Sequence, residues 1–347
     1  MAKKKIITKK SEVFLEKYLN NPSPTGFESG GQKMWLDYIS PYIDEHFVDT
    51  YGTVVGVINP EAKYKVVIEA HADEISWFVH YITKDGYIYL RRNGGSDHQI
   101  APSKRVNIHT KKGMVKAVFG WPAIHTRTAG SEKSPKLDNI FLDCGCANKE
   151  EVEELGIHVG CVVTYEDEFM ILNDKYYVGR ALDNRIGGFM IAEVARLLKE
   201  NKVKLPFGLY ITNSVQEEVG LRGAQMIVER IRPDVAIVTD VCHDTGTPMI
   251  NKIKQGDTKC GDGPVLTYGP AVQNNLLELI ITAAEKNKIP FQRAAASRAT
   301  GTDTDAFAYA TGGVASSLIS LALRYMHTTV ETVSREDVEN VIMILQI

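Results

Sequence analysis

Apolar and polar positions follow three patterns along the chain, and the first is helical. Residues 11–19 alternate apolar and polar side chains with helical period and end at a turn-rich stretch, residues 21–26. A second helix is predicted around residues 31–39. The apolar run 66–68 indicates a short buried strand that leads directly into residues 69–73. The opening segment therefore predicts two helices followed by a buried strand.

The second pattern, from about residue 76 to residue 166, is rich in short β segments. The apolar pieces are separated by turns rich in Gly, Asp, Asn and Lys, and they comprise residues 77–82, 87–90, 106–109, 114–120 and 162–165. This spacing predicts a small all-β barrel or sandwich. Residues 149–155 are predicted to form its one helix. We therefore expect residues 74–166 to be an inserted, β-rich domain.

The third pattern, after residue 183, alternates helices with strands. Helices are predicted at residues 187–199, 223–231 and 276–285, and strands at 207–212, 235–239 and 316–323, the last taken as the final strand. Such alternation is typical of a mostly parallel mixed sheet with helices on both faces. The predicted fold class is thus α/β, in which residues 1–73 and 167–347 form one domain around the inserted small all-β barrel.

Composition and charge limit the kinds of partner that the protein can bind and the cellular compartment in which we expect it. The 347 residues carry a formal net charge of −3, which gives no support to a nucleic-acid or membrane partner. No apolar run approaches the ~20 residues of a transmembrane helix, and the N-terminal residues do not have the pattern of a signal peptide. Five cysteines are an odd number, which argues against a secreted disulfide framework. We expect a cytoplasmic protein.

Ionisable residues stand just after predicted strands or at the start of a predicted helix in five places. These places hold His71 with Asp73, Asp183, Glu217 with Glu218, Asp240 and His327. Functional groups of open α/β sheets cluster beyond the carboxyl ends of the strands. A lone histidine at a strand end is more often a surface residue. The occurrence of ionisable residues at all five places together is what predicts a functional site.

Imidazole and carboxylate groups together suit zinc, cobalt or manganese. A shared carboxylate can bridge two ions ~3.5–4 Å apart, and Asp183 lies between the other pairs in sequence. We expect two divalent metal ions per subunit, with zinc as the first choice and cobalt or manganese as alternatives. The pair Cys144 and Cys146 is only a weak metal motif, because no second pair at zinc-site spacing accompanies it.

Neighbouring side chains suggest supporting roles. Asp73 lies two residues after His71, so in an extended segment both side chains project to the same side. Its carboxylate can then accept the second imidazole N–H and orient a metal-bound histidine. Glu217 and Glu218 are adjacent, so their side chains diverge in extended backbone. One can bind metal while the other faces a water molecule, and the residues alone leave open which does which.

Six segments carry a family resemblance, and they are residues 69–76, 181–188, 214–224, 238–243, 301–306 and 324–328. The string QEEVGLRGA, which starts at Gln216, is the most specific of them. The chain resembles the TET-type glutamyl and deblocking aminopeptidase family, members of which have also been labelled cellulase M. Residues 24–28 also fit, so the resemblance covers nearly the whole chain.

The resemblance implies a role for each candidate residue: His71 and Asp240 bind one metal ion, Glu218 and His327 bind the other, Asp183 bridges the two, Glu217 is the general base and Asp73 orients His71. It also implies that the β-rich insertion is a dimerisation domain and that the homo-dimers assemble into a dodecamer. Two positions depart from the family pattern. Ala70 and Ala72 flank His71 at positions where the family usually has Gly and Met. Asn184 stands where a second Asp is common. Both departures could reshape the substrate side of the pocket.

The expected function is that of a metal-dependent aminopeptidase, which releases N-terminal residues from short peptides through a metal-bridged water activated by Glu217. A metallo-carboxypeptidase or deacylase with the same metal core is the closest alternative. A glycosidase is disfavoured, because it needs carboxyls ~5–9.5 Å apart across a sugar and adjacent Glu217 and Glu218 do not provide that. A non-catalytic scaffold is disfavoured because no ligand or base is missing. Arg293 and Arg298 could favour an acidic N-terminal residue, although a surface role is the simpler interpretation.

Overall fold

The computed structural model describes residues 6–128, 130 and 133–346. The chain forms two compact units. The first comprises Met1–Glu74, Phe169–Met326 and Val330–Ile347, and the second comprises Ile75–Glu168 and His327–Thr329. None of the helices in the described ranges is both long enough and apolar enough to cross a membrane.

The secondary-structure elements are given in chain order. The strands are β1 (Glu45–Val48), β2 (Val54–Ile58), β3 (Lys65–His71), β4 (Ser76–Ile82), β5 (Ile88–Asn93), β6 (Arg105–Thr110), β7 (Gly113–Gly120), β8 (Phe141–Asp143), β9 (Val162–Tyr165), β10 (Met170–Leu172), β11 (Tyr176–Gly179), β12 (Gly208–Ser214), β13 (Val235–His243), β14 (Val265–Tyr268), β15 (Gln292–Ala295), β16 (Ala315–Leu323) and β17 (Glu331–Ser334). The α-helices are α1 (Lys9–Asn20), α2 (Ser29–Ile39), α3 (Lys149–Glu154), α4 (Leu182–Glu200), α5 (Arg222–Ile231), α6 (Lys252–Gln255), α7 (Asn274–Lys286), α8 (Asp303–Ala308) and α9 (Arg335–Ile344). Short 3₁₀ helices occupy Ser40–Tyr42, Ile124–Thr126 and Glu217–Val219.

The first unit contains an eight-stranded sheet with the order β1-β2-β12-β3-β13-β16-β14-β15. Its centre is parallel, because β12 and β13 both pair in parallel with β3, and β13 pairs in parallel with β16. Antiparallel pairs flank this centre on both sides, β2 against β12 and β14 against β16. A smaller antiparallel sheet has the order β10-β11-β17. The predicted fold class, a mostly parallel mixed sheet with helices on both faces, is confirmed.

Buried apolar runs explain the central strands and helix α4. In β3, residues Val66 to His71 are all buried, as expected for a strand covered on both faces. Helix α4 is buried from residue 182 to residue 198, so it is enclosed on all of its faces. It also begins five residues earlier than predicted. The Trp35 indole of α2 donates a hydrogen bond to the Gly188 carbonyl of α4 at 2.7 Å, which fixes how these two helices pack.

The second unit is a closed antiparallel barrel with the order β4-β5-β8-β7-β6-β9. Its core contains Trp77 and Phe119, whose rings meet edge to face with centroids 5.8 Å apart. The predicted helix is α3, which Asn148 caps by accepting a hydrogen bond from the Glu151 backbone N–H. The small all-β barrel predicted from the strand spacing is therefore confirmed.

The C-terminal end of the chain corrects one prediction. The strand predicted at residues 316–323 is not the final one, because β17 and α9 follow it. Strand β17 is short, and it pairs with β11 rather than with the large sheet. Its sequence, Glu-Thr-Val-Ser, lacks the apolar run on which the prediction of buried strands depends.

A buried ion pair in α4 supports the packing of the first unit. Glu193 is fully buried, and its Oε2 accepts hydrogen bonds from Arg196 Nη2 at 2.7 Å and from Ser11 Oγ at 2.8 Å. Tyr38 donates a short hydrogen bond to the other carboxylate oxygen. Removing one partner of such a pair leaves an uncompensated buried charge.

We expect Glu193→Ala to lower the free energy of unfolding by about 3–5 kcal/mol, since the buried Arg196 guanidinium would lose its buried carboxylate and keep only the more exposed Glu200 as an acidic partner. Urea denaturation measures the change. Asp37→Ala is the matched control, because Asp37 forms an exposed pair with Lys33 and its removal should change the stability by less than about 1 kcal/mol. Equal effects of the two substitutions would contradict the prediction.

Candidate metal centre

Three adjacent parallel strands bring the candidate residues to one end of the large sheet. His71 is the last residue of β3 and pairs in register with Ser214, the last residue of β12. The 3₁₀ helix with Glu217 begins three residues after Ser214. In β13, Val238 is in register with Glu69, so Asp240 lies level with His71. The sheet topology thus places these groups together at the carboxyl ends of the strands.

His71 is at the centre of the carboxylate cluster. Its imidazole is buried, and Nε2 lies 3.2 Å from Asp183 Oδ1, 3.8 Å from Glu217 Oε2 and 3.9 Å from Asp240 Oδ1. Two overlapping triads bring potential ligand atoms within 4.8 Å of one another: His71 with Asp183 and Asp240, and His71 with Glu217 and Glu218. The donors are one imidazole and several carboxylates, the set that suits a divalent ion such as zinc.

Asp73 is hydrogen-bonded to the loop that carries the two glutamates. Its Oδ1 accepts the backbone N–H of Glu217 at 3.0 Å, and its Oδ2 accepts that of Glu218 at 3.2 Å. The Thr25 hydroxyl donates to Oδ2 at 2.9 Å. Oδ1 also lies 3.3 Å from Nδ1 of His71. One buried carboxylate therefore positions both the histidine and the glutamate loop, whereas sequence reasoning anticipated only its contact with the histidine.

The start of α4 holds Asp183 in place. The backbone N–H of Asp183 donates to the buried Glu331 carboxylate at 3.0 Å. The Asn184 amide donates to the Thr239 carbonyl at 2.7 Å and accepts the Gly187 N–H at 3.2 Å. Asn184 is fully buried. This departure from the family pattern fastens α4 to β13.

Burial and mutual repulsion shift the acid–base properties of the cluster. Burial, followed by the neighbouring Asp303, Asp183 and Asp73 carboxylates, raises the pKa of Glu217 to about 8. The pKa of Glu218 and that of Asp240 are raised well above their ordinary values, by burial first and then by Asp183.

Burial alone would lower the pKa of His71, but the carboxylates of Glu217, Asp183 and Asp73 outweigh burial and raise it. The metal-free cluster therefore carries more negative charge than its buried surroundings can stabilise. Bound cations would relieve this repulsion, so the donor set fits divalent metal ions.

Two buried carboxyl groups next to the cluster were missed as site residues. Glu69 and Asp303 are nearly inaccessible to solvent. Burial raises the pKa of Glu69 to about 7 and raises that of Asp303 well above its ordinary value. The sequence held one signal for each, since Glu69 interrupts an apolar strand and Asp303 lies in the matching segment 301–306. Thr25 lies in residues 24–28, which also fit the family pattern, but its contact with Asp73 could not be read from the sequence.

Three candidates remain, namely His327, Arg293 and Arg298. His327 lies in the segment His327–Thr329, which belongs to the second unit, so its metal-ligand role stays a prediction. Arg293 is exposed, stacks on Phe291 and lies 3.9 Å from Glu285, contacts that give it a surface role. Arg298 is also exposed.

The two cysteines of the weak metal motif lie in the second unit. The sulfur atoms of Cys144 and Cys146 are 3.7 Å apart. Among the residues that the structure describes, neither cysteine belongs to a group of three or more potential metal ligands. All five cysteines are free thiols.

Comparison with known proteins identifies one family. A family model described as M42 glutamyl aminopeptidase matches residues 52–344. A lysyl aminopeptidase of Pyrococcus furiosus is 32% identical over 331 residues, which cover 94% of this chain and 93% of that protein.

Solved structures agree with these sequence matches. A TET aminopeptidase from the marine sediment archaeon Thaumarchaeota archaeon SCGC AB-539-E09 is 31% identical and superimposes with a TM-score of 0.92, covering 97% of this chain and 95% of that one. The TET1 peptidase of Pyrococcus horikoshii, which can assemble into a tetrahedron or a large octahedral shell, is 26% identical with a TM-score of 0.85, and the match covers 97% and 98% of the two chains.

The raised pKa of Glu217 predicts how pH changes the stability of the metal-free protein. A carboxyl group whose pKa is higher in the folded state stays protonated in that state at pH values at which the same group has already lost its proton in the unfolded chain. The contribution of Glu217 to stability is therefore greatest below the ordinary pKa of about 4.5 and falls as pH rises towards about 8. The raised pKa of His71 acts in the same direction.

We expect chelator-treated protein to unfold more easily at pH 8 than at pH 6, and Glu217→Gln to reduce this loss by roughly 2 kcal/mol. Urea denaturation at the two pH values provides the measurement. Glu16→Gln, the same change at an exposed position, should leave the pH dependence as it is in the unsubstituted chain. A pH dependence unaltered by Glu217→Gln would show that Glu217 does not titrate as described.

Proposed function

The chain belongs to the M42 glutamyl aminopeptidase family, and from this premise we propose that it is a metal-dependent aminopeptidase that releases N-terminal residues from short peptides. The family consists of metal-dependent peptidases. The observation that carries the proposal is the buried cluster around His71, where imidazole and carboxylate donors converge at the carboxyl ends of β3, β12 and β13. Peptide hydrolysis is the chemistry for which such a donor set is suited.

We assign the ligands of two divalent ions as follows: His71 and Asp240 would hold the first, Glu218 and His327 would hold the second, and Asp183 would be shared by both. Support for the first ion is the triad of His71, Asp183 and Asp240, while His327 is assigned from the family pattern. Zinc is the first choice for these donors, with cobalt or manganese as alternatives. When bound, such a pair polarises the scissile carbonyl and lowers the pKa of a bound water.

Glu217 is proposed as the general base. Its side chain is 12% exposed, so it can reach a water molecule in the cleft, and its carboxylate lies 3.8 Å from His71. A pKa near the working pH suits a group that must both accept and release a proton. Glu217 takes the proton of the attacking water and passes it to the leaving amine. Asp73 is a positioning residue in this scheme, because it fixes the backbone of Glu217 and the ring of His71.

Self-association is the expected state of the chain. The Pyrococcus horikoshii relative assembles into large shells, which supports a homo-oligomer here. Dimerisation through the second unit, with a dodecamer built from such dimers, is the proposed arrangement. A cytoplasmic location is proposed because all five cysteines are free thiols.

An aminopeptidase must bind the free amino group of its substrate, so blocking that group should abolish cleavage. We expect short peptides to lose their N-terminal residue, N-acetylated versions to resist, and a chelator to stop the reaction until zinc is returned. Product analysis by mass spectrometry distinguishes the outcomes. Cleavage of acetylated peptides from their carboxyl end would instead identify a metallo-carboxypeptidase, and activity that survives chelation would exclude the metal.

The proposed roles of Glu217 and Asp183 predict that two variants differ in their metal content. Glu217→Gln should lower kcat by about 10²–10⁴-fold while both ions stay bound, because only proton transfer is lost. Asp183→Ala should lose metal, because each ion loses a ligand. Metal content by mass spectrometry and initial rates check both variants, and Glu229→Gln is the control at an exposed position. Normal turnover in Glu217→Gln would remove Glu217 from the mechanism.

A further inference from the structure

The segment that carries His327 is anchored within the second unit. Thr329, at its end, is buried, and its hydroxyl accepts a short hydrogen bond from Lys104 Nζ. The same Lys104 ammonium lies 2.9 Å from Asp167 Oδ1. Lys104 directly precedes strand β6, so the segment is attached to the rigid part of the barrel. An anchored segment limits where the His327 imidazole can point.

Gly95 forms one wall of the space that the His327 ring fills. A Cβ atom added to Gly95 would lie 2.5 Å from both Cε1 and Nδ1 of His327. Ordinary contacts between such atoms are about 3.5–4.0 Å long. The φ angle of Gly95 lies outside the left-handed range, so an L side chain would fit the backbone there. Close approach of the imidazole is thus the reason for glycine at this position.

The backbone at His327 is constrained as well. Tyr325 and His327 both have left-handed φ angles, +60° and +61°. Non-glycine residues rarely adopt this conformation, and where they do, the surrounding structure holds them there, often at functional sites. The main chain at His327 therefore has a constrained conformation, in addition to the close contact of its ring with Gly95.

We propose that Gly95 is a positioning residue for His327, and that its missing side chain provides the space in which the imidazole keeps the orientation needed to bind the second metal ion. This inference rests on the proposed function, in which His327 is a metal ligand. Lys104 supports the same orientation through Thr329.

The substitution Gly95→Ala tests the proposal directly. The added methyl group should push the ring away and weaken zinc binding at the second site by about 10–100-fold, the range typical of residues that orient a metal ligand. The first ion should remain bound. Zinc titration by calorimetry and metal content after dialysis measure both sites. Gly30→Ala is the matched control, because the added Cβ would have its nearest neighbour at an ordinary 3.5 Å.

Comparison with His327→Ala separates this inference from the proposed function. If His327→Ala binds two ions as tightly as the unsubstituted chain, His327 is not a ligand and the metal assignment itself is wrong. If His327→Ala loses the second ion but folded Gly95→Ala keeps full affinity, only the positioning role is wrong. A lower melting temperature with unchanged zinc affinity would likewise overturn it. Should Gly95→Ala not fold, Lys104→Met takes its place, and unchanged second-site affinity in that variant overturns the proposal.

Discussion

The site depends on the hydrogen bonds that converge on the Asp73 carboxylate. This single group accepts hydrogen bonds from two backbone N–H groups of the glutamate loop and from the hydroxyl of Thr25, and it lies beside Nδ1 of His71. The loops that it joins come from distant parts of the sequence. Both oxygens are buried and hydrogen-bonded to donors whose positions are fixed. They therefore set the relative positions of His71, Glu217 and Glu218 more firmly than side-chain packing would.

The same region concentrates charge that does not favour folding. Burial and mutual repulsion raise the pKa of Glu217, Glu218 and Asp240, so the cluster is costly unless protons or cations neutralise it. The rest of the first unit offsets this cost through buried apolar strands and the fully enclosed helix α4. Functional sites commonly break local rules for which the scaffold compensates. Here the broken rule is the close approach of buried like charges.

Sequence reasoning succeeded where the physical signal was local and strong. The apolar run ending at His71 and the alternation after residue 183 were enough for the fold class and for the strand ends that carry His71 and Asp240. It failed where the signal was short or polar. Strand β8 has three residues, and β17 has no apolar run, so neither shows a recognisable period. The roles of Thr25 and Asn184 depend on tertiary partners, which no periodicity reveals.

The order of the strands has a consequence for biosynthesis. Strand β3 pairs with β12, although the whole barrel lies between them in the sequence. The strands of the barrel are contiguous, so this unit can close while the ribosome is still making the chain. The large sheet must wait for β12, β13 and β16, because long-range pairing has a high loop-closure cost and forms slowly. Until then the apolar strand β3 lacks both of its partner strands, so the nascent chain exposes a hydrophobic segment of the kind that promotes aggregation.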